Sequence, residues 1–138
     1  MATVTELHVN GARCRVSETS RLAEATLLLT DPRDLIDGAE RERVVRLCGS
    51  VRLVRGLGDC YGYYLVARGL ADVMIEPHVA PWDVAALKVI VEEAGGIYSN
   101  FADDRRAFGT GTSSGVGSLA TNGRLHGAVL DVVRPHLR

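Results

Sequence analysis

Lysine is nearly missing from this sequence: Lys88 is the one lysine among sixteen basic residues, the others being arginine. That bias matches a GC-rich coding sequence and says nothing about binding. Cysteine is scarce too, and Cys14, Cys48 and Cys60 are far apart with no CxxC pair. A disulfide framework and a structural zinc site are therefore both poorly supported, and a reducing cytoplasm is the expected compartment. Aromatic residues make up only 5% of the chain, and no basic cluster interleaves with them, which argues against a nucleic-acid surface. Neither charge sign dominates, since sixteen basic residues face seventeen acidic ones. No apolar run approaches the roughly 18 residues needed to span a bilayer, and the first ten residues, MATVTELHVN, carry no basic-then-apolar leader pattern. A soluble, cytoplasmic protein without membrane or nucleic-acid partners is the expectation.

What remains is ordinary globular material. With 138 residues, 46% hydrophobic and 24% charged, the chain suits one domain spanning 1–138 with a single core. Asn10-Gly11 breaks a strand-like stretch from Thr5 to Val16 and predicts a short hairpin. Ser17 and Ser20 could cap a helical turn. ATLLLT, residues 25 to 30, reads as a buried strand, and Gly38 to Leu47 as an amphipathic helix. VRLVRG is a strand candidate. Gly58-Asp59 opens a helix that Gly69 stops, and ADVMIEP is a strand with Glu76 at its carboxyl end. The stretch APWDVAALKVIVEEAGG, residues 80 to 96, then predicts a helix apolar over most of its circumference and deeply packed. GIYSN and GSLATN are further strands, and Gly123 to Val133 a last helix. Strands alternating with helices predict an α/β layered sandwich with a mixed, partly parallel sheet flanked by helices. Ligand sites in such folds lie beyond the carboxyl ends of strands.

That rule directs attention to Arg55–Cys60, Glu76–Asp83 and Thr121–Asn122. Asp83 can be a helix N-cap or a metal ligand, and Asp59 a charge complementing a helix dipole or a pocket wall. Glu76 is a solvated strand end or a second carboxylate on the same rim. Cys60 has no histidine placed by sequence to act as its base, so a small packed residue is the simpler reading. Trp82 is expected in the core and His78 in solvent. Asp31, Asp34 and Asp37 have an acidic helix-entry explanation, and GTGTSSG, residues 109 to 115, lacks the lysine of a P-loop and reads as loop.

Taken together, RGLGDCYGYYLVARGLADVMIEPHVAPWDVAALKVIVEEAGG, residues 55 to 96, resembles the C-terminal half of the inositol monophosphatase family. The matches fall at Trp82-Asp83, Ala85-Ala86 and Glu93-Ala94-Gly95-Gly96. Within that family, Gly58-Asp59-Cys60-Tyr61-Gly62-Tyr63 and ADVMIEP look most like the histidinol-phosphate phosphatase branch. NGARCRVS and LATNGRLH extend the likeness over nearly the whole chain.

The resemblance implies a magnesium-dependent phosphate monoesterase fold of which this chain is one half. It makes Asp83 a ligand for one Mg2+ and Glu76 a contact to the alcohol side of the ester. It also makes the Gly58-Asp59-Cys60 helix start part of the leaving-group pocket. The other metal ligands, the phosphate cradle and the water-activating pair would belong to an N-terminal half of the family enzyme; Leu35-Ile36 stand where its DPxDGT motif would carry Gly-Thr. No complete catalytic set is therefore expected in this chain, and the isolated chain should be inactive or very weak. Histidinol phosphate is the favoured ligand and an inositol phosphate the second, because Asp59 and Glu76 together favour an ammonium-bearing alcohol over a neutral polyol. A homo-oligomer, or a separate N-terminal half as partner, would cover the surface exposed by halving such an enzyme. The alternative is a non-catalytic binding or dimerisation module that keeps the half-fold.

Overall fold

The computed structural model describes residues 6–35, 40–106 and 117–134. Asn10 (φ 51°) and Gly11 (φ 78°) form the expected turn between β1 (His8–Val9) and β2 (Ala12–Arg13), which pair antiparallel. Two successive positive φ values are what a tight hairpin needs, and Asn and Gly tolerate them. The remaining strands are β3 (Thr26–Leu29), β4 (Leu53–Gly56), β5 (Val73–Glu76), β6 (Ile97–Ser99) and β7 (Ser118–Thr121). They form one sheet in the order β4-β3-β5-β7-β6. The pairs β3 with β4 and β3 with β5 are parallel, whereas β7 pairs antiparallel with both β5 and β6. The predicted mixed sheet is what forms.

Helices cover both faces, which is why the central strands are unbroken apolar runs rather than alternating ones. Leu27 and Leu29 of β3, Val73 and Ile75 of β5, and Leu119 of β7 point to one face, against α1 (Arg41–Ser50) and α4 (His126–Val133). Their neighbours Leu28, Met74 and Ala120 point to the other, against α2 (Cys60–Ala67) and α3 (Pro81–Glu93). The period of two along each strand thus divides one sheet between two cores.

Several expectations change. The helical turn expected within residues 17–25 forms as a 3-10 turn at Leu22–Glu24, but Arg21, not Ser17 or Ser20, is its N-cap residue. Ser17 Oγ donates to Asp72 Oδ1 at 2.5 Å and accepts from Asn122 Nδ2 at 3.0 Å, so it straps an extended segment across the layers. Arg41 begins α1, and Ser50 ends it, three residues beyond the expected Leu47. Asp37 and the 109–115 stretch lie outside the described residues, as do the side chains of Asp34 and Leu35.

The largest correction concerns α3. Only Val84 and Val91 are buried along it. Trp82 is 82% exposed and Val89 46% exposed, and Ala85 and Ala86 are also exposed. These four stand at helical spacing i, i+3, i+4 and i+7, so the second apolar face of α3 is real but meets no packing partner among the described residues. Trp82, expected in the core, belongs to that face.

Candidate active site

Because β3 and β5 run parallel with Leu29 beside Ile75, their next residues, Thr30 and Glu76, end side by side at the same sheet edge. The first turns of α2 and α3 converge on that edge. Between them opens a cavity of about 860 Å3 whose walls include Thr30, Asp59, Cys60, Glu76 and Asp83. His78 and Trp82 line its outer part. Four of the five residues singled out by the resemblance therefore meet in one place. Gly58 does not line the cavity; it lies behind Thr30, where a Cβ would come within 3.3 Å of Thr30 Cγ2.

Neither the Asp59 nor the Asp83 side chain caps a helix. Pro81 takes the first position of α3, where its missing N–H costs nothing, and Ala80 is the N-cap residue. Asp83 falls in the first turn with no side-chain capping bond, leaving its carboxylate at the cavity with the helix dipole behind it. Asp59 does occupy the N-cap position of α2, but its side chain makes no capping bond and its backbone has φ 52° and ψ −143°. That conformation suits glycine, and a side chain held there is strained. Cys60, expected to be packed, is exposed in the cavity wall.

Of the two readings of Glu76, a solvated strand end or a second carboxylate on the rim, the first fails, because the residue is only 5% exposed. Thr30 Oγ1 donates to its Oε1, and Tyr63 OH donates to Oε2 at 2.6 Å. Tyr63 OH also meets Ser118 Oγ at 2.7 Å. A phenol has one proton; with it committed to Glu76, the serine hydroxyl is the donor in that contact. Asp59 N–H donates to Thr30 Oγ1 at 3.4 Å. Burial pushes the Glu76 carboxyl above its ordinary pKa, the Thr30 and Tyr63 hydrogen bonds hold it down, and the charges of Asp59 and Asp83 push it up. Burial, reinforced by Glu76, drives the Tyr63 phenol well above its ordinary value.

Thr30, Tyr63 and Ser118 were not singled out from the sequence. The rule about strand carboxyl ends would have found Thr30 had it been applied to β3 as well as β5. Nothing local marks Tyr63 or Ser118, whose roles exist only through the sheet register.

A second polar cluster lies elsewhere, and it is not an active site. His126 is 3% exposed, with Ser99 Oγ 3.0 Å from Nε2, Thr121 Oγ1 3.0 Å from Nδ1 and Asp103 Oδ1 3.5 Å from Nε2. Ser99 Oγ spends its proton on the Asn100 carbonyl at 2.7 Å, so Nε2–H is the donor to Ser99 and cannot be its base. Thr121 accepts from Gly123 N–H and donates to Nδ1. Burial lowers the His126 pKa to about 4, against the pull of Asp103. This is a neutral, structural histidine joining β6, β7 and α4.

As for a metal, no group of three His, Cys, Asp or Glu side chains able to hold one occurs among the described residues. Asp83 brings a cavity-facing carboxylate of the chemistry magnesium takes, but a single carboxylate does not satisfy the near-octahedral oxygen shell of that ion. Asp31 is turned to local work, accepting from Arg33 N at 2.9 Å and Nε at 2.8 Å. Among the described residues no helix is long and apolar enough to cross a membrane.

Comparison with known proteins agrees with this geometry. The sequence profile described as the inositol monophosphatase family matches residues 2–138. A histidinol-phosphatase from Mycobacterium tuberculosis is 38% identical over 125 residues, which is 88% of this chain and 46% of that protein. One from Chlorobaculum parvum is 42% identical over 88 residues, 64% of this chain and 34% of the relative. Among solved structures, the Thermotoga maritima IMPase superposes with a TM-score of 0.73 at 29% identity, over 90% of this chain and 46% of that one. An inositol monophosphatase from Zymomonas mobilis gives 0.76 at 26% identity, over 91% and 48%. The chain thus spans less than half the length of each of these relatives. The mixed sheet, the paired strand ends and these matches together place the chain in the inositol monophosphatase family, with its histidinol-phosphatase branch.

Proposed function

We propose that this chain forms the leaving-group wall of a magnesium-dependent phosphate monoesterase, with histidinol phosphate as the favoured substrate and an inositol phosphate as the second. The observation that carries the reading is the meeting of Asp59, Glu76 and Asp83 around one cavity at the carboxyl ends of β3 and β5. Asp59 and Glu76 would hold the alcohol and its neighbouring ammonium group by charge-assisted hydrogen bonds. Asp83 would give one oxygen to a magnesium ion whose other ligands come from polypeptide corresponding to the part of the relatives that this chain does not match. Magnesium bound there supplies water activation and charge stabilisation at phosphorus.

The face of α3 that meets no partner among the described residues supports an incomplete site. Trp82, Ala85, Ala86 and Val89 form an apolar stripe beginning at the cavity mouth, where the complementary polypeptide would seat. Self-association through this stripe is the second reading, in which the chain is a binding or dimerisation module and the stripe's exposed tryptophan is the anchor. The proposed compartment is the cytoplasm.

The test is ligand binding followed by NMR on the 138-residue chain. Histidinol should shift resonances of Asp59, Cys60 and Glu76 more strongly than inositol does, and Asp59→Asn should abolish the preference. Equal responses to the two alcohols in the unaltered protein would reject the amine-selective pocket.

A further inference from the structure

The three carboxylates are not held alike. Asp59 is the N-cap residue of α2 and Asp83 lies in the first turn of α3, whereas Glu76 is sunk in the sheet with both oxygens engaged from inside the fold. Two hydrogen-bond chains converge on it. One runs from the Asp59 amide through the Thr30 hydroxyl to Oε1, the other from the Ser118 hydroxyl through Tyr63 to Oε2. In both, every proton points toward the carboxylate, so the arrangement is matched to an ionised Glu76.

We propose that Thr30 and Tyr63 are positioning residues that fix Glu76 as an acceptor-only group facing the cavity, and that Thr30 alone couples it to Asp59. This rests on the reading of the cavity as the alcohol-side pocket and deepens it. A carboxylate offers about four lone-pair directions, and two are taken from behind. Those remaining accept protons from a ligand and give none. An ammonium-bearing alcohol, which presents donors, is then favoured over a ligand that needs a donor in return.

The two residues differ in reach. Thr30 receives the Asp59 amide proton and donates to Glu76, so its hydroxyl ties the strained N-cap residue of α2 to the end of β5. Tyr63 is fully buried inside the layer, and its hydroxyl is engaged by Glu76 and Ser118. Loss of the Thr30 hydroxyl should therefore disturb both carboxylate-bearing elements, and loss of the Tyr63 hydroxyl only one. The charged or titratable groups around Glu76 are Asp59 and Cys60 at the start of α2, Tyr63 within α2, His78 after β5 and Asp83 on α3; of these, Tyr63 holds the Glu76 pKa down and the charges of Asp59 and Asp83 push it up.

The experiment compares the unaltered chain with Thr30→Val, Thr30→Ser and Tyr63→Phe, after circular dichroism has shown each to be folded. The Glu76 side-chain carboxyl carbon is titrated by NMR without ligand, and histidinol and inositol are then added at neutral pH. We expect Thr30→Val and Tyr63→Phe each to raise the Glu76 midpoint, because each removes a donor that favours the charged form. Histidinol binding should weaken about tenfold in each, as for loss of one charge-assisted hydrogen bond at the low end of its range. Only Thr30→Val should also move the Asp59 amide proton, and Thr30→Ser should restore all three readouts.

An unchanged or lowered Glu76 midpoint in Thr30→Val, or no restoration by serine, overturns the proposal. So does an Asp59 amide shift of equal size in Tyr63→Phe. If the unaltered chain shows no response to histidinol, the functional reading fails, while the ligand-free carboxyl titration still decides the positioning roles.

Discussion

Replacing Asp59 by glycine should make the protein more stable and its pocket less selective. Asp59 sits at φ 52°, ψ −143°, with no side-chain capping bond to offset the conformation. Holding a non-glycine residue in such a region costs about 1–3 kcal/mol. Glycine removes that strain but adds about 0.5–1 kcal/mol of backbone entropy to be lost on folding. It also gives up a negative charge at a helix N-terminus, worth about 0.3–1 kcal/mol. At the midpoints of these ranges the balance favours glycine by about 0.6 kcal/mol, or roughly 2 °C in Tm for a chain of this size. Asp59→Ala keeps the strain and loses the charge, so it should be no more stable than the unaltered protein. Urea unfolding followed by circular dichroism should rank the three as glycine above aspartate, and aspartate at or above alanine. Both variants should bind histidinol more weakly. Glycine at or below aspartate in unfolding midpoint would refute the claim that this carboxylate is kept against the backbone's preference.

Other outcomes follow from the packing. A Cβ on Gly96 would lie 2.5 Å from the Thr121 carbonyl oxygen and 2.8 Å from Val91 Cγ1, so Gly96→Ala should cost about 2–3 kcal/mol of unfolding free energy; a loss within error of zero would mean the α3-to-β6 join is looser than described. His126 has its folded pKa lowered from 6.5 to about 4, so its stabilising contribution is present above pH 6.5 and is lost as pH falls toward 4. The shift corresponds to about 3 kcal/mol, and the unaltered protein should lose about that much more than His126→Asn across this window in urea titrations; parallel curves would contradict it. Val89→Glu on the exposed face of α3 should leave the unfolding midpoint within about 0.5 kcal/mol, as a surface change does. A large loss would show that this face is packed after all.

Much of this was legible in the sequence because local and global signals agreed. The hairpin at Asn10-Gly11, the continuous apolar β3 and the helix stop at Gly69 (φ 70°) all formed as their residue types demand. The resemblance in residues 55 to 96 brought Asp59, Cys60, Glu76 and Asp83 to one cavity. What stayed hidden depended on register and on what each face meets. Glu76 looked solvated because a lone glutamate at a strand end usually is, and its burial requires Thr30 beside it and Tyr63 above it. Local pattern left Asp83 open as a cap or a ligand, and the cap reading fails because Pro81 starts the helix two residues earlier. The apolar circumference of α3 was read correctly as composition and wrongly as burial, since periodicity reports which faces want a partner, not whether the partner is there.

The most direct test of the account is magnesium-dependent phosphate release from histidinol phosphate, measured for the 138-residue chain alone and after mixing with polypeptide covering the unmatched part of a histidinol-phosphatase relative. The account predicts negligible release by the chain alone, release on mixing, and loss of that release in Asp83→Asn. Robust turnover by the chain alone, abolished by Asp83→Asn, would contradict the claim that it holds only one wall of the site.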